Sequence, residues 1–161
     1  MRALLKALEG LPDTRLIFTL PNADTDGRAL IAMIEKFVAT HPQARAYTSL
    51  GQLRYLSLLR LVDGVVGNSS SGLLEAPSFK KGTINIGSRQ CGRLRAASVI
   101  DCEPTQKAIS RALDRLYSQE FRLLLPPVSN PYGDGGASRK IVRELEQVKL
   151  GGLVKKSFYD L

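Results

Sequence analysis

Short apolar runs alternate with amphipathic stretches along the chain. The run at 15–20, Arg-Leu-Ile-Phe-Thr-Leu, is rich in β-forming residues and is followed by Pro21, which predicts a buried strand. The stretch at 25–40 carries apolar residues at the i, i+3, i+4, i+7 and i+8 spacing of an amphipathic helix, namely Leu30, Met33, Ile34, Phe37 and Val38.

The same alternation continues to the end of the chain. Further strands are predicted at 44–49, 63–66, 83–86 and 98–102, and further helices at 51–61, after the loop at 67–72, around 109–116 and around 141–148. About five alternations of strand and helix are typical of a doubly wound α/β parallel sheet that is covered on both faces. We therefore predict one domain over residues 1–150, with Gly151 and Gly152 setting off a tail over 151–161.

Composition narrows the class of protein. The 161 residues are 43% apolar and 24% charged, as in ordinary globular domains. No apolar run approaches the roughly 18 residues of a membrane span, and no signal-peptide pattern is present. Two cysteines and one histidine are too few for a disulfide framework or a closed zinc site. A reduced, cytoplasmic protein without metal or cofactor is expected.

Positive charge concentrates in one segment. The net charge is +8, and residues 76–100 contain no acid and five basic residues, Lys80, Lys81, Arg89, Arg93 and Arg95. Such a segment suits a nucleotide or a nucleic acid, although a solvated basic face has the same composition. Aromatic residues do not interleave with it, which weakens the case for single-stranded nucleic acid.

The predicted strands end in distinctive polar loops. Asn22 follows the first strand, Leu50 and Gly51 follow the second, the serines of 67–72 follow the third, and 88–90 follows the fourth. Because doubly wound sheets bind ligands beyond the carboxyl ends of their strands, these loops predict one shared site.

The loop at 67–72, Gly-Asn-Ser-Ser-Ser-Gly, is the most informative of these. A helix N-cap needs one serine, so three serines between glycines favour an anion held by hydroxyl and backbone N–H groups. Glu75 either complements the helix dipole or accepts hydrogen bonds from a ribose. Arg89 either grips a phosphate or is an ordinary surface arginine.

Two other features predict structural roles. His41, the only histidine, precedes Pro42 at a helix end and is interpreted as a helix-terminal residue rather than a catalyst. The glycines of 133–136 form part of a dinucleotide fingerprint, but no strand directly precedes them, so a turn that caps the last helix is favoured.

Four segments together resemble a known family. Residues 19–28 (Thr-Leu-Pro-Asn-Ala-Asp-Thr-Asp-Gly-Arg), 67–76 (Gly-Asn-Ser-Ser-Ser-Gly-Leu-Leu-Glu-Ala), 83–90 (Thr-Ile-Asn-Ile-Gly-Ser-Arg-Gln) and 130–135 (Asn-Pro-Tyr-Gly-Asp-Gly) closely resemble hydrolysing UDP-N-acetylglucosamine 2-epimerases of sialic- and related nonulosonic-acid pathways. The resemblance covers nearly the whole chain in order. It corresponds to the C-terminal, Rossmann-like half of that two-domain GT-B-type enzyme.

The resemblance implies a UDP site. Asn22 and the backbone around Leu50 would face the uridine, Ser69 and Ser70 would hold the diphosphate, Glu75 would accept the ribose hydroxyls, and Arg89 would contact UDP. A second tier is Ser71, Gly72 and Gln90.

The family's reaction needs residues from both halves of the enzyme. The family eliminates UDP from UDP-N-acetylglucosamine and adds water to the unsaturated sugar, giving N-acetylmannosamine. Its acid and base carboxylates lie in the N-terminal domain, so the resemblance implies that no catalytic residue belongs to this chain and that the N-terminal domain is its partner. The nucleotide domain of a GT-B glycosyltransferase and a basic nucleic-acid-binding module remain alternatives.

The resemblance also implies that a strand is missing. In the strand order 3-2-1-4-5-6, the first strand lies between the second and the fourth. Residues 15–20 play the second strand and 63–66 the fourth, so both would lose their common neighbour. Either the two strands of this fragment pair directly with each other, or the gap between them persists, or a second copy fills it. Because exposed strand edges invite pairing with another chain, a homo-oligomer is expected.

Overall fold

The computed structural model describes residues 1–21, 25–149 and 151, and an α/β fold over them. The strands are β1 (Leu16–Thr19), β2 (Ala44–Tyr47), β3 (Gly64–Gly67), β4 (Gly82–Ile86) and β5 (Val99–Cys102). The helices are α1 (Arg2–Glu9), α2 (Thr25–Thr40), α3 (Gly51–Leu61), α4 (Ser71–Leu74), α5 (Gln106–Tyr117), α6 (Gln119–Leu124) and α7 (Ala137–Gln147), and a 3-10 turn spans Ala76–Phe79. No helix in these ranges is long and apolar enough to cross a bilayer.

The strands form two parallel sheets. β1 pairs with β2, with Leu16 opposite Ala44, and the other sheet has the order β3-β4-β5. The parallel α/β prediction is therefore confirmed, with each predicted strand found within two residues of its expected bounds. Within the described ranges β1 and β3 do not pair, so the expected interruption of the sheet persists and each strand keeps one open edge.

The three-stranded sheet is held by the close approach of α5. Gly64 and Gly82 are register partners on β3 and β4, and Leu116 of α5 lies directly over them. A Cβ added at Gly82 would lie 2.3 Å from Leu116 Cδ1, and one added at Gly64 would lie 2.7 Å from Leu116 Cδ2. The glycine pair is thus what lets α5 pack this close to the sheet.

One hydrophobic core joins the two sheets. Helix α1 packs against α5 and supplies Leu5 and Leu8, while β2 supplies the fully buried Ala44. The rest of this cluster comes from α1, α2, β4, β5, α5 and α6: Ala7, Phe37, Ile84, Ile100, Ile109, Ala112, Leu113, Leu116 and Phe121. The two sheets are therefore parts of one packed body, although no ladder connects them within the described residues.

Helices α6 and α7 both differ from expectation. The short α6 was not predicted, because six residues give too little periodicity to recognise; Ser118 caps it by accepting a hydrogen bond from Phe121 N at 3.2 Å. Helix α7 was predicted, but its apolar residues Ile141, Val142 and Leu145 are exposed, as is Val148 at its C-cap, and none of its residues is buried.

The open edges of β1 and β3 generate a prediction about association. We propose that the purified chain forms dimers or soluble aggregates at about micromolar concentration, because unpaired edges invite a strand from another copy. Ile17→Lys, which places a charge on a β1 residue that is 43% exposed, should shift light-scattering mass towards the monomer.

Leu123→Lys is the matched control, because it adds the same charge at a 70% exposed residue of α6, away from both edges. A cooperatively melting monomer, with the β1 and β3 amides all protected from hydrogen exchange, would contradict the proposal.

Candidate functional site

The loops that follow β3 and β4 meet, as predicted from their positions at the carboxyl ends of neighbouring strands. The Gln90 side chain is only 3% exposed, and its Nε2 donates a 2.7 Å hydrogen bond to the Asn68 carbonyl. This contact joins the loop after β4 to the serine loop, residues 67–72. Gln90 therefore anchors the serine loop to the loop that follows β4.

A polar network braces Gln90 in turn. Arg95 donates to the Gln90 carbonyl at 3.2 Å and forms an ion pair with Asp101, with 2.8 Å between Nε and Oδ2. Asn85, which is 1% exposed, donates to the other oxygen of Asp101 at 2.6 Å. The network fixes the backbone around Gln90 to the end of β5.

The basic segment is less available than its composition suggested. Arg95 is neutralised by Asp101, which lies just beyond 76–100, and the Lys80 ammonium donates to the Val128 carbonyl. Arg89 and Arg93 are exposed, and neither has an ion-pair partner in the described part of the chain. Arg89 lies one residue before Gln90, close in sequence to the meeting point of the two loops.

Tyr55 is a site residue that the sequence patterns missed. It lies on α3, which begins directly after Leu50, and its hydroxyl hydrogen-bonds with the Ser71 hydroxyl. The contact joins the helix after β2 to the serine loop. A tyrosine among the leucines of an amphipathic helix carries no local signal of this role, since Ser71 is 16 residues away.

The helix after the serine loop is shorter than expected. Helix α4 has four residues, Ser71–Leu74, and is followed by the 3-10 turn, because Pro77 has no N–H with which to extend an α-helix. Glu75 therefore lies at the end of α4 rather than inside a longer helix. A macrodipole sums over aligned peptides, so four residues add little positive potential.

Donors at the serine loop are nevertheless free. The backbone N–H groups of Ser69 and Ser70 have no acceptor within the described residues, and both residues are accessible. The Ser69 Oγ receives only a long 3.4 Å bond from Ser71 N. The backbone N–H groups and the hydroxyls of Ser69 and Ser70 are therefore available to donate hydrogen bonds to an anion.

Glu75 presents an unsatisfied acceptor. Its Oε2 is buried and has no hydrogen-bond partner among the described residues. Its charge also reaches Tyr55: burial is the largest cause that raises the pKa of Tyr55, the Ser71 hydrogen bond lowers it, and the negative charge of Glu75 raises it further. Glu75, Tyr55 and Ser71 thus form one electrostatic group.

The remaining predicted site residues are Leu50, Gly72 and Asn22. Leu50 is half-buried at the N-cap position of α3. Gly72 has a packing role, since an added Cβ would lie 2.5 Å from Thr83 Cγ2, and its N–H already donates to the Ser69 carbonyl. Asn22 lies outside the described residues, as does the tail apart from Gly151.

Both features interpreted as structural are confirmed in that role. His41 lies at the end of α2, with Nδ1 2.8 Å from the Phe37 carbonyl and its ring stacked on that of Phe37. Gly136 is the N-cap of α7 with a φ of 75°, a conformation that glycine adopts without steric cost.

Comparison with known proteins identifies relatives whose sequences match nearly the whole chain, including the segments that form this site. The sequence model of a family described as UDP-N-acetylglucosamine 2-epimerase matches residues 1–146. A Campylobacter jejuni protein named GDP/UDP-N,N'-diacetylbacillosamine 2-epimerase (hydrolyzing) is 38% identical over 100% of this chain and 42% of its own length. The Escherichia coli polysialic acid biosynthesis protein P7 is also 38% identical, over 98% of this chain and 41% of its own length.

A solved structure supports the fold. S. aureus MnaA, determined with UDP, superposes with a TM-score of 0.73 at 20% identity, over 89% of this chain and 39% of that one. At this identity the likeness concerns the fold alone, and it confirms the Rossmann-like half of a GT-B-type structure. The chain spans about two fifths of the length of these relatives.

The burial of Tyr55, reinforced by the negative charge of Glu75 and opposed by the Ser71 hydrogen bond, predicts a pH dependence. Because the folded-state pKa of Tyr55 is raised above its ordinary value of 10.0, the neutral phenol contributes stability that is complete below that pH and is lost as pH rises through the folded pKa. Denaturant unfolding of the wild type should therefore lose stability above about pH 10, and Tyr55→Phe should lose less of it.

Tyr132→Phe is the matched control, since it removes the hydroxyl of a 42% exposed tyrosine that bonds elsewhere, to the Leu94 carbonyl. If Tyr55→Phe and Tyr132→Phe show the same alkaline profile as the wild type, the Tyr55 assignment is wrong.

Proposed function

Because the chain belongs to the UDP-N-acetylglucosamine 2-epimerase family, we propose that it is the UDP-binding half of a hydrolysing enzyme that releases UDP from a nucleotide sugar and epimerises the sugar at C2. The observation that carries the proposal is the serine loop, with free amide and hydroxyl donors, beside a buried Glu75 oxygen that lacks a partner. Donors for an anion and an acceptor for hydroxyls are the two features that a nucleoside diphosphate requires.

The diphosphate is assigned to Ser69 and Ser70. Both offer accessible N–H and hydroxyl groups, and the loop is held by Gln90 from one side and Tyr55 from the other. A preorganised set of donors binds an anion more tightly than a mobile one, because less conformational entropy is lost on binding. Ser71, Gly72 and Gln90 then support the loop, and Arg89 adds a charge-assisted contact.

The ribose is assigned to Glu75 and the uracil to Asn22 and Leu50. A carboxylate oxygen without a protein partner is matched by the vicinal hydroxyls of a ribose, each of which donates a hydrogen bond. Leu50 is the N-cap of α3, the helix whose Tyr55 bonds to the serine loop. This supports a base lying beside the second strand while its phosphates reach the third.

Other parts of the functional assignment remain proposals. Sialic- or related nonulosonic-acid biosynthesis is proposed as the pathway, in line with the name of the E. coli relative. A cytoplasmic location, a homo-oligomer and a tail over 151–161 that reaches an N-terminal domain stay predictions. The family match over residues 1–146 disfavours the glycosyltransferase and nucleic-acid alternatives.

The assignment predicts a ligand preference. UDP should bind more tightly than UMP, AMP or a mixed oligonucleotide in calorimetry, because only UDP engages both the serine loop and the uridine side. A charge-assisted hydrogen bond contributes about 1.5–3 kcal/mol, so Arg89→Ala and Glu75→Gln should each weaken UDP binding at least several-fold.

Matched controls separate these contacts from general electrostatics. Arg93→Ala removes the same charge from an exposed neighbour, and Glu120→Gln makes the same change on α6; neither should alter UDP affinity by more than a small factor. Equal affinity for UDP and the oligonucleotide, with the steep salt dependence of polyanion binding, would instead favour a nucleic-acid module.

A second prediction concerns turnover. The chain alone should release no UDP from UDP-N-acetylglucosamine, because general acid–base catalysis needs positioned groups beside the sugar, and Glu75 is assigned to the nucleotide. A coupled UDP assay, with a full-length relative as the positive control, measures this. Release by the chain alone at the rate of the full-length enzyme would show that the division of roles is wrong.

A further inference from the structure

The segment 130–135 has no role in the site described so far, yet it contacts both sides of Glu75. Asn130 Nδ2 donates to the Leu74 carbonyl at 2.8 Å and to Ser78 Oγ at 2.7 Å. Leu74 directly precedes Glu75, and Ser78 follows it by three residues. A single side-chain amide therefore hydrogen-bonds to the backbone carbonyl just before Glu75 and to a side-chain hydroxyl in the turn just after it.

The backbone around Glu75 needs such a partner. In a continued α-helix the Leu74 carbonyl would accept from the N–H of residue 78, but Ser78 N donates instead to the Glu75 carbonyl at 3.0 Å, as the chain tightens into the 3-10 turn. The Leu74 carbonyl is left over by this change. Asn130, 56 residues away along the chain, supplies the missing donor.

The orientation of the Asn130 amide is fixed from its other end. Tyr132 N donates to Asn130 Oδ1 at 3.0 Å, which forces Nδ2 to face Leu74 and Ser78. Pro131 lies between them and has no N–H to compete, so this Asx turn has one available donor. The Tyr132 hydroxyl also donates to the Leu94 carbonyl at 3.1 Å, which ties the segment to the loop after β4.

We propose that Asn130 is a positioning residue that sets the Glu75 carboxylate for the ribose of the bound nucleotide. The inference rests on the proposed function, since it assigns Asn130 to the ribose part of that same site. It makes a selective claim: losing Asn130 should impair recognition of the ribose hydroxyls and leave recognition of the diphosphate, which depends on Ser69 and Ser70, unchanged.

Paired ligands test this claim. UDP and its 2′-deoxy analogue differ only in one ribose hydroxyl, and UDP and UMP differ only in one phosphate. The wild type should prefer UDP over 2′-deoxy-UDP by about tenfold or more, the ratio given by one hydrogen bond to a charged group. Asn130→Ala should reduce that ratio several-fold in calorimetric titrations of the full chain, with the UDP to UMP ratio unchanged.

Two further variants serve as a milder test and as a control. Ser78→Ala removes one of the two acceptors at an exposed residue and should reduce the ratio less, and it remains a test if Asn130→Ala does not fold. Tyr132→Phe keeps the Asn130 bonds and loses only the hydroxyl contact to Leu94, so it should leave the ribose ratio as in the wild type.

The possible failures are distinguishable. If Asn130→Ala weakens UDP and 2′-deoxy-UDP equally, or changes neither, Asn130 has only a structural role or none, and the inference is overturned while the proposed function stands. Glu75→Ala, which removes the acceptor altogether, should itself bring the ribose ratio close to one. If it does not, the ribose assignment to Glu75 fails, and the positioning role of Asn130 fails with it.

Discussion

The close packing of α5 on the glycine pair of β3 and β4 is the constraint on which the rest of the structure depends. Leu116 occupies the space that side chains at Gly64 and Gly82 would fill, and this contact brings α5 down onto the sheet. Because β4 is buried along nearly its whole length, the loops at its carboxyl end and that of β3 start from fixed positions. The serine loop and the Gln90 loop therefore start from a closely packed part of the sheet.

The core fixes where the site loops begin, and a few long-range polar contacts fix how those loops are arranged. Gln90 holds the Asn68 carbonyl, Tyr55 holds the Ser71 hydroxyl, and Asn130 holds the Leu74 carbonyl. Each one attaches a loop that has little secondary structure of its own. In a partly buried setting such bonds keep loops in one arrangement. In that arrangement the Ser69 and Ser70 amides have no acceptor, and Glu75 Oε2 is buried with no partner, among the described residues.

The interrupted sheet has the opposite character. In the part of the chain that the structure describes, β1 and β3 each retain an open edge, and the two sheets are joined through side chains of α1, α2 and α5 instead of through a ladder. The apolar residues of α7 are exposed as well, and the chain spans about two fifths of the length of the relatives it matches. Packing can hold the two sheets together, but it cannot satisfy the backbone groups along the open edges.

The sequence determined the elements and the loops of the site, because both are written in local patterns. The runs at 15–20 and 83–86 form strands, the spacing within 25–40 forms α2, and the serines and Glu75 lie at the carboxyl edge of the sheet, since alternation of strand and helix fixes which loops lie there. Pro77 is also a local signal, because a proline so close after the serine loop limits α4 to four residues and so limits the dipole of that helix.

The tertiary structure alone decided which groups support the site. Tyr55, Gln90 and Asn130 act on partners 16, 22 and 56 residues away, and Asp101 neutralises Arg95 from another element. Contacts of this kind arise from how elements pack, and residue spacing along the chain carries no signal of them.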